Sequence, residues 1–465
     1  MNRKIIEKLL INKNFSIREA MRLIDRSGWG MGFIVDDKKK FLGTATGGDI
    51  RRAILKGISI KKPIGEICNK EPVFVNEKTK DAEFLSLKFR KSIKGKIPIG
   101  GSLTVPVLDE KRKIKDVVFF NIDKDNKTRT FGYKDKTHKE GVKKVLLIGG
   151  AGYLGAIICR KLLNEGYQIR VLDNLSYGDW GIKELYEKNN FEFLKGDIRN
   201  VSDIVEAIKG VDAVIHLAAI VGDPACSKNP EETIEINYLA TKIIAETCKY
   251  FQVNRFVFAS TCSVYGKSRA SNEVLTEESS LNPVSLYAET KIQCEKSILE
   301  TMDENFSPTI LRMATLYGYS PNMRFDLAIN LMTGRALFDK KITVFGGEQW
   351  RPWLDLEDAA SAYINCLEAP IEKVRGEIFN VLSENYKIID VGRKINSVFT
   401  GAKLEVNNRK TDNRDYNVSF DKIYRILNFQ PKKKIIDGVI EIKKAVEKGL
   451  IKNIEDTRYR TFLPQ

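Results

Sequence analysis

The segment from Lys144 to Gly155, KVLLIGGAGYLG, limits what this chain can fold into more than any other stretch. An apolar run ends in glycines and passes directly into AIICRKLLNEG, so the pattern predicts a strand, a tight turn and a helix in immediate succession. Such a turn needs backbone free of Cβ atoms if amide N–H groups and the helix N-terminus are to approach a pyrophosphate, and Gly155 permits close helix packing. Eighteen residues beyond Gly155, the next apolar run, IRVLD, ends at Asp173. A carboxylate there accepts hydrogen bonds from both ribose hydroxyls and repels a 2′-phosphate, which favours NAD over NADP. The turn residues Gly149, Gly152, Tyr153, Leu154 and Gly155, with Asp173, are the first candidate cofactor contacts.

After this point short apolar runs (VLLIG, IRVLD, AVIHLAA, RFVFAST, TILRMAT) alternate with helical stretches such as EINYLATKIIAETCKYF. Strand followed by helix, repeated, predicts a doubly wound parallel sheet of the α/β class, covered on both faces. Beyond residue 340 the alternation becomes irregular, which predicts a small C-terminal substrate-binding cap formed mainly by residues after about 320. With 465 residues, about three folding units are expected. The expected organisation is a first module over 1–122, a linker over 123–142 where charged and turn-forming residues crowd together, and the sheet domain with its cap over 143–465.

The net charge of +16 is confined to the first part: residues 1–142 carry 33 Lys and Arg against 18 Asp and Glu, whereas residues 143–465 carry 44 against 43. The larger part is neutral, so its chemistry does not rest on a nucleic-acid-binding field, and no nucleic-acid partner is expected. No apolar run approaches the length of a membrane span, and the first residues, MNRKIIEKLLINKNF, break their apolar stretch with charges. A cytoplasmic protein without a membrane partner is therefore expected. Seven scattered cysteines, none spaced CxxC, and two histidines signal neither a disulfide framework nor a metal site.

In order along the chain, GGAGYLG, VLDNLSYG, KGDIRN, VIHLAA, ASTCSVYG, SLYAETK, LRMATLYG and RPWLDLEDAA give residues 143–445 a close resemblance to the extended short-chain dehydrogenase/reductases. The resemblance is specifically to the NAD-dependent nucleotide-sugar epimerases and dehydratases typified by UDP-galactose 4-epimerase. It implies a Ser/Thr-Tyr-Lys triad of Thr261, Tyr287 and Lys291, with Lys291 also holding the nicotinamide ribose. It further implies cofactor contacts from Asn174, Asp197, Ile198 and Asn237. On the substrate side it points to Thr261, to Thr315 where the family carries asparagine, to Arg351 as a diphosphate grip, and to Arg409 and Arg414 as a second clamp. The substrate implied is a nucleotide-diphosphate sugar. A lysine that reaches the cofactor phosphates in some epimerases is replaced by Val221.

The chemistry is consistent with these residue types. Tyr287 and Lys291 lie one helical turn apart on one face. A free phenol, with a pKa of about 10, is a poor base at neutral pH. A neighbouring ammonium and the positive nicotinamide ring stabilise phenolate, so Tyr287 can take a hydroxyl proton as hydride leaves the sugar. A guanidinium donates two parallel hydrogen bonds to phosphoryl oxygens, as Arg351 would. The 4,6-dehydratases place an Asp-Glu pair directly after the Thr, whereas Cys262 and Ser263 stand here. Epimerisation through transient oxidation at C4 is therefore the expected activity. A nucleotide-sugar dehydrogenase or reductase is the alternative, with the 4,6-dehydratase disfavoured. Outside enzymology, a nucleotide- or redox-sensing regulator would use the same cofactor fold.

Within residues 1–122 two similar halves contain FIVDDKKKFLGTAT and VPVLDEKRKIKDVVFF, an internal duplication. FIVDDKKKFLGTATGGDIRRAILKG resembles a CBS domain, and the duplication a tandem CBS pair of mixed α and β structure. The resemblance implies an adenine nucleotide at Thr44, Thr46 and Asp49, and association into a homodimer. A tethering module without ligand is the alternative reading.

Overall fold

The computed structural model describes residues 6–7, 9–27, 31–77, 102–122, 128–132, 142–267, 273–303, 305–408 and 414–459. The chain divides into two compact units, Met1–Lys136 and Thr137–Gln465.

In the first unit, β1 (Leu10–Asn12), α1 (Ile17–Ser27), β2 (Met31–Val35), β3 (Phe41–Thr46) and α2 (Gly47–Leu55) are followed by β4 (Val75–Asn76), β5 (Ser102–Leu108), β6 (Ile114–Ile122) and β7 (Thr128–Gly132). The duplication is visible in the backbone. β1 pairs parallel with β2 and β2 antiparallel with β3, just as β4 pairs parallel with β5 and β5 antiparallel with β6. The two hairpins even share one turn. Asp36 Oδ1 accepts from the Lys38 and Lys40 amides and Asp109 Oδ1 from those of Lys111 and Lys113, while Lys39 and Arg112 both adopt positive φ. An aspartate that accepts from its own turn is the local chemistry that makes DDKKK and DEKRK stop one strand and start the next. Within the expected linker, Thr128–Gly132 forms β7, paired with β6; residues 123–127 and 133–141 lie outside the described residues. An edge strand tolerates charge, which is why the composition of that stretch concealed it.

The second unit is built on β8 (Lys144–Ile148), α3 (Gly155–Asn164), β9 (Gln168–Asp173), β10 (Phe191–Lys195), α4 (Val201–Ile208), β11 (Ala213–His216), α5 (Ala240–Tyr250), β12 (Arg255–Thr261), α6 (Leu286–Thr301), β13 (Ser307–Met313), β14 (Thr315–Tyr317), α7 (Ala328–Phe338), β15 (Lys341–Phe345), β16 (Trp350–Asp355), α8 (Leu356–Glu368), β17 (Ile378–Val381), β18 (Glu384–Lys387), α9 (Ile388–Val398), β19 (Lys403–Asn407) and α10 (Ile435–Glu447). Its seven-stranded sheet runs β10-β9-β8-β11-β12-β13-β17, and every neighbouring pair is parallel. Strands such as VLLI and AVIH are buried on both faces, as central parallel strands must be. One face is covered by α3 and α8, the other by α4, α5 and α6. The strand order reverses between β8 and β11, and that switch point opens a crevice at the carboxyl ends of the strands.

Residues after 320 divide their work. Helix α8 and strand β17 return to the sheet, while α7, α9 and α10 enclose a separate apolar cluster with Tyr317, Ile342, Val344 and Trp353. All seven cysteines are buried and unpaired with one another. Among the described residues no helix is long and apolar enough to cross a membrane, and no cluster of His, Cys, Asp and Glu could hold a metal ion.

Candidate active site

The turn after β8 meets its neighbours without room for side chains. Gly149 has φ +85°, and a Cβ on it would lie 2.6 Å from the Ala218 amide nitrogen at the end of β11. A Cβ on Gly155 would lie 2.5 Å from the Gly149 carbonyl oxygen. Gly152 supplies the carbonyl that accepts from Ala156, and Leu154 the one that accepts from Ile158, so both start α3. Below the turn, Asp173 Oδ2 accepts from the Ala151 amide at 3.0 Å and Oδ1 from the Leu175 amide at 2.9 Å. Burial pushes this carboxyl above the usual range and the two amide bonds oppose the shift. A glycine-rich turn with a moored carboxylate at the end of the second strand fits NAD.

Other expected cofactor residues have partners of their own. The Tyr153 hydroxyl donates to the Gly318 carbonyl at 2.7 Å and accepts from Asn330 Nδ2 at 2.8 Å. Asn174 Oδ1 accepts from Ser176, and Asp197 pairs with Arg199 at 2.7 Å, which holds its carboxyl below the usual range. Ile198 is buried beside the sheet. Asn237 lies in a π-helical turn, Ile234–Leu239. Its amide grips Ile220 twice, accepting from the Ile220 amide at 2.8 Å and donating to its carbonyl at 2.9 Å. That fixes the loop after β11.

Lys291 sits beside Tyr287, and their helix α6 packs against β12, which ends in Thr261, and against the short turn Cys262–Tyr265 that follows it. Ser285 caps α6 by accepting from the Ala288 amide, so the helix begins just ahead of Tyr287. Thr261 ends β12, and its Oγ1 accepts from the Ser263 amide at 3.1 Å. Lys291 is buried; its Nζ donates to the Ala259 carbonyl at 2.7 Å and lies 4.6 Å from the Phe258 ring centroid and 5.9 Å from that of Tyr287. Burial lowers the Lys291 pKa. Burial, then the Lys291 charge, pulls His216 down to about 3, so this imidazole stays neutral against Thr241.

Burial likewise pushes the Tyr287 phenol well above its ordinary range, and the cation that opposes this is Arg324. The sequence points to Lys291 and the nicotinamide ring for that role; Arg324 carries no sequence signal of it. Arg324 is ion-paired with Asp326 at 2.5 Å.

On the substrate side, Arg351 of β16 is buried, donates from Nη1 to the Trp350 carbonyl at 2.7 Å and stacks 5.2 Å from the Tyr416 ring centroid. The Tyr416 hydroxyl lies 3.3 Å from Ser263 Oγ, which joins this cluster to the strand end carrying Thr261. Arg414 lies 3.5 Å from Asp223. Thr315 pairs with Trp353 between β14 and β16. Arg409 lies outside the described residues. At the positions that would hold a dehydratase acid and base, the Cys262 thiol donates to the Arg312 carbonyl and Ser263 faces Tyr416.

In the first unit Thr46 and Asp49 serve each other. Thr46 caps α2, while Asp49 Oδ2 accepts from the Thr46 amide at 2.8 Å and from its hydroxyl at 2.7 Å. Asp49 also pairs with Arg52, and Thr44 is buried with its backbone bonded to Asn69.

Two features, although each touches the LRMATLYG segment, go beyond the roles that the sequence suggests. One is a strap, Gly318–Asn330, buttoned onto the glycine-rich turn: Ser320 Oγ donates to the Tyr153 carbonyl at 2.8 Å and Asn322 Nδ2 to the Ala151 carbonyl at 2.9 Å. The other is a buried ion pair between Glu295 and Arg312 at 2.8 Å. Its available signal is that Glu295 continues the four-residue spacing of Tyr287 and Lys291.

Residues 145–381 match the model of the NAD dependent epimerase/dehydratase family, and residues 1–56 match that of the CBS domain. A Bacillus subtilis (strain 168) protein described as an uncharacterized UDP-glucose epimerase is 30% identical over 249 residues, 51% of this chain and 76% of that one. The dTDP-D-glucose 4,6-dehydratase of Dictyostelium discoideum is 31% identical over 281 residues, 55% of this chain and 62% of that one. The structure of UDP-glucuronic acid 4-epimerase from Bacillus cereus, in complex with UDP-glucuronic acid and NAD, superposes with a TM-score of 0.60 at 26% identity, over 66% of this chain and 99% of that one.

Proposed function

The chain belongs to the NAD dependent epimerase/dehydratase family, and from that premise we propose that it epimerises a nucleotide-diphosphate sugar by transient oxidation at C4. NAD, when bound, supplies a reversible hydride acceptor. Tyr287 takes the proton of the sugar hydroxyl and returns it, Thr261 hydrogen-bonds the reacting oxygen, and Lys291 holds the ribose from beside the phenol. Arg351 grips the diphosphate, with Arg414, whose charge also reaches Tyr416, as its companion.

The observation that carries epimerisation over dehydration is the pair after Thr261. Removing water across C5 and C6 needs an acid and a base there, and Cys262 and Ser263 are instead a buried thiol on a carbonyl and a hydroxyl on Tyr416. The strap over the glycine-rich turn favours a cofactor that stays bound through both hydride transfers, which separates this reading from a dehydrogenase that exchanges NAD with solvent. For the first unit, the capping box of Thr46 and Asp49 favours a tethering role over nucleotide binding, because both side chains are already used in starting α2.

The test is to incubate the purified protein with UDP-, dTDP-, CDP- and GDP-hexoses without added cofactor and to separate the products. Interconversion of C4 epimers without net NADH supports the proposal. A 4-keto-6-deoxy product, or turnover only with added NAD and net NADH, rejects it. Tyr287→Phe should abolish turnover with NAD still bound; retained turnover would reject Tyr287 as the proton-transfer group.

A further inference from the structure

We propose that Glu295 is a positioning residue for Tyr287 and Lys291, locking the rotation and register of α6 against β12. The inference rests on the catalytic reading of Tyr287 given above. Tyr287, Lys291 and Glu295 recur every four residues, so they stack along one face of α6. Two of them grip successive residues of the strand that ends in Thr261. Lys291 donates to the Ala259 carbonyl at 2.7 Å, and the Ser260 hydroxyl donates to the Glu295 carboxylate. Arg312, which is register-paired with Ser260 on β13, completes the grip with two bonds to Glu295, from Nε at 3.1 Å and Nη2 at 2.8 Å.

Arg312 is itself held from the other side. Its Nη1 donates to the Tyr265 hydroxyl at 2.9 Å and to the Glu277 carbonyl at 3.3 Å, and Tyr265 donates to Asn380 on β17 at 2.7 Å. One network therefore spans three strands and the catalytic helix. Arg312 and Glu295 side chains are only 3% and 5% exposed. A buried pair of this kind is poorly explained by stability, since well-packed apolar residues of the same volume are often as stable or more so. What it supplies is direction. Apolar contacts alone let a helix rotate or slide by fractions of an ångström, whereas charge-assisted bonds on a two-toothed carboxylate do not. A misplacement of about 1 Å at a proton-transfer group costs roughly a hundredfold in rate.

The experiment compares wild type with Glu295→Gln and with the double variant Glu295→Leu/Arg312→Leu, which leaves no unpaired buried charge and keeps the fold measurable if Glu295→Gln does not fold. Both are assayed as NAD-loaded protein for NAD content, kcat and KM. The ionisation of Tyr287 is followed by ultraviolet difference against the corresponding Tyr287→Phe protein. Cys226, Asp223, Arg324 and Tyr416 also act on this phenol, and none of them is altered.

The expected result is unchanged NAD content and KM, kcat lower by about tenfold or more, and a Tyr287 transition moved to higher pH or out of range. A folded double variant whose Tyr287 transition coincides with wild type overturns the inference, as does a loss that falls equally on KM and NAD content. The phenol titration needs no sugar. Wild type that turns over no nucleotide sugar rejects the epimerase reading, while the titration still decides the role of Glu295.

Discussion

Asn322 and Ala151 are 171 residues apart in the chain, yet the Asn322 amide donates to the Ala151 carbonyl at 2.9 Å, tying the strap to the glycine-rich turn. The same Ala151 receives the other half of the site through its amide, which donates to Asp173. Both peptide units that meet at Ala151 are thus held, one by Asp173 and the other by Asn322.

Asn322→Ala should loosen the cofactor without unfolding the protein. A buried carbonyl left without its donor costs about 1–3 kcal/mol, enough to speed NAD release by about tenfold. Nicotinamide content after repeated gel filtration checks this. Retention equal to wild type would show that the strap does not govern release.

Asp173→Ala removes two backbone bonds together with the acceptor proposed for the ribose hydroxyls. Calorimetric titration should show NAD binding weakened by at least about tenfold and a smaller preference for NAD over NADP. Undiminished preference would remove Asp173 from the discrimination.

Gly149→Ala places a methyl group 2.6 Å from a backbone nitrogen at a residue with φ +85°. The conformational strain alone is about 1–3 kcal/mol. Thermal unfolding should shift down by several degrees and bound NAD should disappear. A variant with normal melting and normal NAD content would mean that β8 and β11 separate more easily than their packing implies.

Asp355 gives a pH dependence. It is fully buried at the start of α8, accepts from the Glu357 amide and lies 3.6 Å from Lys433; burial pushes its carboxyl up to about 7. The folded state holds a proton there that the unfolded chain gives up at ordinary carboxylate pH. Its contribution therefore falls as pH rises from about 4 to about 7 and is flat above. Asp355→Asn keeps the oxygen that accepts from Glu357, so its melting temperature should change less than that of wild type over this interval and exceed it at pH 8. A parallel pair of melting curves would contradict the assignment.

The features that sequence reasoning located are those written in contiguous residues. KVLLIGGAGYLG encodes a strand, a turn and a helix in one run, and Tyr287 and Lys291 are separated by a helical repeat. The strap and the Glu295–Arg312 pair depend on residues far apart in the chain, and periodicity carries no information about which strand a helix will meet. Tyr153 shows the same limit. Its position in the turn points to a cofactor contact, while the partners of its hydroxyl, Gly318 and Asn330, are brought near only by the tertiary fold. Thr46 and Asp49 were legible as a polar pair after a strand; that they cap each other depends on side-chain geometry within the first turn of α2.

The seven buried thiols have a practical consequence. They are distributed over both units and both faces of the main sheet, so the native surface offers a maleimide no target while each unit and each face of that sheet keeps its own concealed reporter. Labelling under native conditions, read peptide by peptide, would rank the parts of the molecule by how readily each one opens. A cysteine introduced on a loop would then be a unique handle for a fluorophore.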